Sequence, residues 1–269
     1  MKFQNVVITG ACGGFGQALA RTLLERGARV ALLGLDAGRL AELHAIAPER
    51  TVVYTPDVTD TAAMQAVAAD WRARFGTPDL VIANAGVAGG FDTAEAVDLA
   101  VFRRMLEINL LSLPTTFQPF LTTMRDAGRG TLCGVASIAA WRGLPGNGAY
   151  CASKAGVVAY LQSLRAELRD SGLTVSTCCP GYLRTQLTAG NRFAMPGLME
   201  PEAAARVLIE RLEKGHEWIV LPRRAGWLAR TLMLLPARWY DRILRAQPRK
   251  PRAGESGATP IPGLHEKKY

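Results

Sequence analysis

"VVITGACGGFGQALARTLLERG", running from Val6 to Gly27, decides the fold of this chain. Four apolar or β-branched residues lead into a turn holding Gly10, Gly13, Gly14 and Gly16, and an apolar pattern of helical period follows. Such a turn lets the backbone approach a pyrophosphate closely and aims the free N–H groups of the helix at the anion. A tight strand-to-helix turn with no ligand would have the same spelling, so its place in the chain matters. It follows the first strand of an α/β pattern, where dinucleotides bind beyond the carboxyl ends of the strands. Gly10, Cys12, Gly13, Gly14, Phe15 and Gly16 are therefore the candidate phosphate-loop residues.

Further strand-like runs recur at Arg29–Leu33, Thr51–Thr55, Leu80–Ala83, Thr131–Ala136, Leu173–Cys178 and Trp218–Leu221. Helical patterns fill the gaps: Gly14–Arg26, Asp36–Ala47, Thr61–Phe75, Val101–Met124, Gly148–Asp170 and Glu202–Lys214. Pro114 should bend or divide the long fourth segment. The alternation predicts an α/β fold, a doubly wound Rossmann-type parallel sheet of about seven strands with helices on both faces. "NVVITG" and "DLVIANAG" have the near-continuous apolar character of strands buried on both sides. Residues 1–222 read as one dinucleotide-binding and catalytic domain. Residues 223–247 form an amphipathic basic segment, and residues 248–269, rich in Pro, Gly and charge, a poorly ordered tail.

The chain has 269 residues, 49% hydrophobic and 20% charged, which supports a large core and excludes a disordered protein. A net charge of +9 raises the question of nucleic acid. Eleven of the 32 Lys and Arg, but only three of the 23 Asp and Glu, lie after Pro222, so the main domain is close to neutral and no nucleic-acid partner is expected. Cys12, Cys133, Cys151, Cys178 and Cys179 form no CxxC pair and have no His at ligand spacing, so they read as reduced cytosolic thiols and no metal is expected. "MKFQNVVITG" enters a strand directly, unlike a secretory signal, and no apolar run of about 18 residues follows. A cytoplasmic protein is expected.

The spacing Thr9-Gly10, three residues, Gly14, one residue, Gly16 resembles the TGxxxGxG loop of the short-chain dehydrogenase/reductase family. "ANAG" at Ala83–Gly86 is similar to that family's NNAG element, with Ala83 in place of the first Asn and with Asn84, Ala85 and Gly86 retained. Asn109 matches its helix asparagine, Ser137 its serine, Tyr150 and Lys154 its YxxxK pair, and Pro180-Gly181 the turn beside the nicotinamide. The resemblance spans about 170 residues in order. It implies an NAD(P)-dependent oxidoreductase with Asn109, Ser137, Tyr150 and Lys154 as catalytic residues. It also implies that Tyr150 and Lys154 touch the cofactor, that Ser137 holds the substrate oxygen, and that Asn109 links Lys154 through water to solvent. Asp57 and Val58, in "DVTD" after the third strand, fall where the family meets adenine.

The chemistry explains the pattern "GAYCASKAG" at Gly148–Gly156. Reducing a ketone requires a proton for the developing alkoxide, and oxidising an alcohol requires its removal. Lowering a phenol from about 10 to about 7 takes roughly 4 kcal/mol. One charge about 4 Å away supplies that order of energy at an effective dielectric of about 20. Residues four apart share a helix face, so Lys154 is expected to lie beside the Tyr150 phenol and lower its pKa.

Cofactor choice is less marked. Gly34 stands where NAD-preferring relatives carry an acid and Leu35 where many NADP users carry arginine, while Gly13 lacks a basic side chain. The absence of both basic signals favours NAD over NADP. Asp36 stands two residues later and serves either the ribose or the cap of the next helix. Loop residues Phe91, Trp141, Leu144, Phe193 and Met195 suggest a moderately hydrophobic small-molecule substrate, with Arg142 and Arg184 available to an anionic substituent. A non-catalytic dinucleotide sensor of the same fold is the alternative, and the intact Ser137, Tyr150 and Lys154 weigh against it. The family's subunit-contact helices match Val101–Met124 and Gly148–Asp170, so a homodimer or homotetramer is expected, with Leu106, Leu110, Leu161 and Leu164 as contact surface. In residues 226–246, Arg238, Arg242 and Arg245 share one helical arc opposite Trp239, Tyr240, Ile243 and Leu244. That segment suits a peripheral membrane contact or an arm packed on protein.

Overall fold

The computed structural model describes residues 3–191, 194–245 and 247–264. Seven strands pair in parallel: β1 (Asn5–Thr9), β2 (Arg29–Leu33), β3 (Thr51–Tyr54), β4 (Leu80–Ala83), β5 (Gly130–Val135), β6 (Leu173–Pro180) and β7 (Trp218–Leu221). Their order is β3-β2-β1-β4-β5-β6-β7, so the winding reverses between β1 and β4. A crevice opens there, at the carboxyl ends of the strands. Val6, Val7 and Ile8 of β1 and Val81 and Ile82 of β4 are wholly buried, because helices cover both faces.

On one face α1 (Gly14–Glu25), α2 (Ala37–His44) and α8 (Pro201–Glu213) bury Leu19, Leu23, Leu40 and Leu208. On the other, α3 (Thr61–Phe75), α5 (Ser112–Asp126) and α6 (Gly148–Glu167) bury Trp71, Phe117, Phe120 and Leu161. The remaining helices are α4 (Asp98–Leu106), the short α7 (Gln186–Ala189), α9 (Arg223–Met233) and α10 (Ala237–Leu244). The long segment expected to break at Pro114 does divide, but just upstream, in a π-helical turn over Glu107–Leu111 between α4 and α5. Pro114 itself falls in the first turn of α5, where its missing N–H interrupts no bond within that helix.

Two expectations about surfaces change. Leu161 and Leu164 face the core of their own domain and offer no contact surface, because α6 lies flat on the sheet. The exposed leucines of that region are Leu99 and Leu111 instead. The stretch read from composition as a poorly ordered tail is, through Leu264, laid across the domain. Arg249 pairs with Asp92 at 2.7 Å, Arg252 with buried Asp98 at 2.9 Å, and Ile261 fills a small cluster with Val87, Val101, Met105 and Ile108. Composition describes the backbone's freedom but not the anchors that residues far away provide. Positions 265–269 of that tail lie outside the described residues.

Candidate active site

Thr9 ends β1 with its hydroxyl accepting hydrogen bonds from the backbone N–H groups of Asn84 and Ala85, at 3.1 and 3.2 Å. Asn84 returns two bonds from its amide nitrogen, to the carbonyls of Thr9 and Gly10 at 3.0 and 3.2 Å. The two strand ends that flank the crevice are thus stitched together. Gly10 adopts φ +66°, and a Cβ there would meet the Ala85 Cα at 2.8 Å. A Cβ on Gly16 would strike the Gly10 carbonyl, and one on Gly14 would lie 2.9 Å from the Thr185 methyl. These glycines hold the loop tight against its neighbours. Gly13 caps α1 with nothing but the Gly10 carbonyl near its side-chain position, leaving bare backbone and the free N–H groups of the first helical turn. A donor set made of backbone N–H groups at a helix start fits a dinucleotide pyrophosphate.

A cavity of about 940 Å³ runs from this loop to α6. It is lined by Gly10, Cys12–Gly16, Asp36, Asp57, Val58, Asn84–Gly86, Ser137, Tyr150, Lys154, Pro180 and Gly181. Asn109 is not in its wall. Wholly buried in the π turn, Asn109 accepts from the Val87 N–H at 2.7 Å and donates to the Val87 carbonyl at 2.9 Å and to Ser153 at 3.0 Å. Both amide hydrogens are committed, so its observed work is to pin the loop after β4 to α6.

At the other end, the Ser137 hydroxyl donates to the Pro180 carbonyl at 3.4 Å and accepts from the Ala139 N–H at 3.1 Å, and it lies close enough to the Tyr150 phenol to act on its pKa. Lys154 donates to the Val135 carbonyl at 2.8 Å, and its nitrogen stands 6.0 Å from the centre of the Tyr150 ring. Burial pushes the phenol up to about 12, against a smaller lowering by Ser137. Burial also brings the lysine down to about 8. The expectation that Lys154 draws the phenol towards neutrality is therefore corrected. Desolvation acts on both groups, and the ammonium faces the end of β5.

The adenine end holds residues that sequence reasoning passed over. Burial tends to raise the Asp57 carboxyl, yet the hydrogen bonds from Thr59 and the guanidinium of Arg104, 2.6 Å away, hold it below its ordinary value. Arg104 also donates to the Pro262 carbonyl at 2.8 Å, tying the end of the chain to this corner. Asp36 caps α2 by accepting from the Arg39 N–H and pairs with the Arg39 side chain at 3.2 Å. Arg39 lines the cavity and reaches Gln186 on α7. Its spacing of three from Asp36 was the signal available. Gly34 has no room for an acid, because a Cβ there would lie 2.7 Å from the Cys12 sulfur.

Trp141 and Leu144 line the cavity as expected from the loops, whereas Phe91 packs against Phe102 outside it. Met195 does not line it, and Phe193 lies outside the described residues. Arg184 pairs with Glu200 at 2.6 Å. Arg142 donates to the Leu232, Met233 and Leu235 carbonyls, so neither arginine is free to greet an anion. Lys250, brought by the tail and bonded to the Leu187 carbonyl at 3.0 Å, joins Arg224 as a cation of the cavity wall. Burial lowers the lysine to about 8.

Comparison with known proteins agrees with this geometry. The family model described as short chain dehydrogenase matches residues 4–195. The chain belongs to that family. This short chain dehydrogenase is similar to an uncharacterized oxidoreductase of Myxococcus xanthus, 34% identical over 91% of this chain and 98% of the relative. It is 35% identical to a cis-4-hydroxycyclohexanecarboxylate dehydrogenase of Sinomonas cyclohexanicum, over 78% of this chain and 84% of that one. A Burkholderia phymatum short chain dehydrogenase/reductase solved in complex with NAD has the same fold, with a TM-score of 0.77 at 24% identity over 93% and 99% of the two chains. The short chain dehydrogenase is thus an oxidoreductase on a Rossmann-type sheet. No helix among its described residues is long and apolar enough to cross a membrane.

Proposed function

We propose that this short chain dehydrogenase interconverts a secondary alcohol and a ketone, or an alcohol and an aldehyde, on a moderately hydrophobic small molecule. The observation that carries the reading is that Tyr150 and Ser137 share the wall of one cavity with the glycine loop. The nicotinamide cofactor, when bound, supplies or takes up the hydride. Gly10–Gly16, Asn84–Gly86, Asp57, Val58, Pro180 and Gly181 are the residues assigned to hold it. Tyr150 gives its proton to the carbonyl oxygen during reduction and recovers it from solvent, and in oxidation the transfer runs backwards. Ser137 holds the same oxygen by a hydrogen bond. Burial raises the Tyr150 phenol above its ordinary value, which favours its protonated form.

Trp141, Leu144, Leu187 and Leu232 give the cavity an apolar wall suited to a carbon skeleton. The Sinomonas relative's named substrate, a ring alcohol with a carboxylate, supports both that wall and a substrate anion near Lys250. The assignment is tested by replacing Tyr150 with Phe and measuring a panel of ketones and alcohols with NADH, NADPH and their oxidised forms. Turnover should fall by roughly 10² to 10⁴ while nucleotide binding, followed by fluorescence, survives. Near-normal turnover in the variant removes Tyr150 from the chemistry, and no turnover of any panel member by the parent chain supports a dinucleotide sensor.

A further inference from the structure

Helices α9 and α10 form a two-sided element that the chemistry does not use. On α9, Ala225, Ala229 and Leu232 face the cavity. Arg223, Trp227 and Leu234 fall on the opposite side, whereas Arg224 lines the cavity and the Arg230 guanidinium lies over the Trp141 ring, 5.7 Å from its centre. Leu234 is 85% exposed and Trp227 64%. On α10, Tyr240 turns inward and bonds to the Gly143 carbonyl at 2.8 Å, which leaves Trp239 and Ile243 outward at 51% and 57% exposure. Arg142 fastens the turn between the helices through its three carbonyl contacts and lies 3.9 Å from the Tyr240 ring. The outward apolar side chains are therefore presented by a fixed scaffold.

Four arginines share these helices' exposed surface: Arg223, Arg238, Arg242 and Arg245, with Arg242 lying over the Trp239 ring at 5.7 Å. Asp241 is the one acid between Arg223 and Arg245, and among the described residues none of the four forms a salt bridge. Isolated exposed apolar residues are ordinary, but two tryptophans, a leucine, a methionine and an isoleucine exposed within 17 residues are not. We propose that the outer face of α9–α10 docks onto an anionic lipid bilayer, with Trp227, Met233, Leu234, Trp239 and Ile243 inserted below the headgroups and the arginines among the phosphates. Charge separates this from the other occupants. A two-fold contact between copies would set the same patch against itself and oppose four cations to four. A nucleic acid would satisfy the arginines but leave Leu234 and Ile243 in water. Each cation near an anionic leaflet raises partitioning roughly five-fold, so the cluster attaches reversibly and salt weakens it.

The test is sedimentation of the intact chain with vesicles of phosphatidylcholine containing phosphatidylglycerol, against pure phosphatidylcholine, at low and high salt. Binding should be at least ten-fold stronger on the anionic vesicles and fall as salt rises. Arg238→Gln, Arg242→Gln and Arg245→Gln combined should reduce it at least ten-fold, as should Trp227→Ser with Leu234→Ser. All five positions are exposed, and a thermal melt checks that each variant remains folded. No sedimentation on anionic vesicles at low salt overturns the proposal. So does unchanged vesicle binding by either variant, loss of self-association in the variants without loss of lipid binding, or saturable binding to a short DNA duplex with none to vesicles.

Discussion

The Lys154 ammonium gives its hydrogen bond to the Val135 carbonyl and stands 6.0 Å from the centre of the Tyr150 ring. A buried cation without a carboxylate in reach opposes folding, and its pKa of about 8 against an ordinary 10.5 measures that opposition. The penalty is full below pH 8. It fades as pH rises from 8 towards 10.5, where the unfolded chain still holds a proton that the folded chain has released. At ~1.4 kcal/mol per unit, the stability of the parent chain should gain about 3 kcal/mol relative to Lys154→Met between neutral pH and the top of that window. Denaturant melts of both proteins at several pH values measure this, and a constant difference would contradict it.

Ile261 distinguishes a docked tail from a loose one. Its side chain is buried with Val87, Met105 and Ile108, more than 150 positions away in the chain. Ile261→Ala should cost about 2–4 kcal/mol, as for other large-to-small changes in a packed cluster. A loss below about 0.5 kcal/mol in urea unfolding, typical of a surface site, would show that the tail contributes no packing.

Asp36 and Arg39 should control the cofactor. With Arg39 paired to Asp36, the corner carries a carboxylate that suits ribose hydroxyls and repels a 2′-phosphate, so the parent chain should bind NADH more tightly than NADPH. Asp36→Asn keeps a good helix cap and removes the charge. NADPH affinity should then rise several-fold with NADH affinity little changed, as read by fluorescence titration. Equal affinities before and after the change would exclude this corner from the choice.

Leu99 and Leu111, both more than half exposed at opposite ends of the α4 and π-turn region, mark the expected self-contact. Light scattering at micromolar concentration should give a dimer or tetramer, and Leu111→Glu should shift it towards monomer. A parent chain that is already monomeric sinks the expectation.

Much of this molecule was legible because its signals are local. The strand runs at Arg29–Leu33, Leu80–Ala83 and Trp218–Leu221 carry their boundaries in β-branched residues and flanking turns, and they match β2, β4 and β7 residue for residue. The cavity wall was legible for a different reason, since glycine spacing fixes where the backbone is bare. Long-range effects were not legible. Nothing near Lys250 announces that it reaches Leu187, and nothing near Arg104 announces Asp57 or Pro262. The direction in which burial moves the Tyr150 pKa was not legible, because spacing of four fixes the helix face, whereas the pKa also depends on how completely the surrounding chain removes water.

The π turn at Glu107–Leu111 makes this stretch respond unevenly to a single-codon deletion. A wider turn holds one residue more than a regular helix would, and each residue of an α-helix advances about 100°. Removing one residue before Asn109 would let α4 run on regularly and turn Asn109 away from Val87 and Ser153. Removing Leu110 or Leu111, just after Asn109, would absorb the extra residue, leave the asparagine with α4 and keep Leu113, Phe117, Phe120 and Met124 on the sheet. Deletions on the two sides of Asn109 should therefore have sharply different tolerances. A scan across positions 105–113 would find single losses rejected before Asn109 and accepted at Leu110 or exposed Leu111.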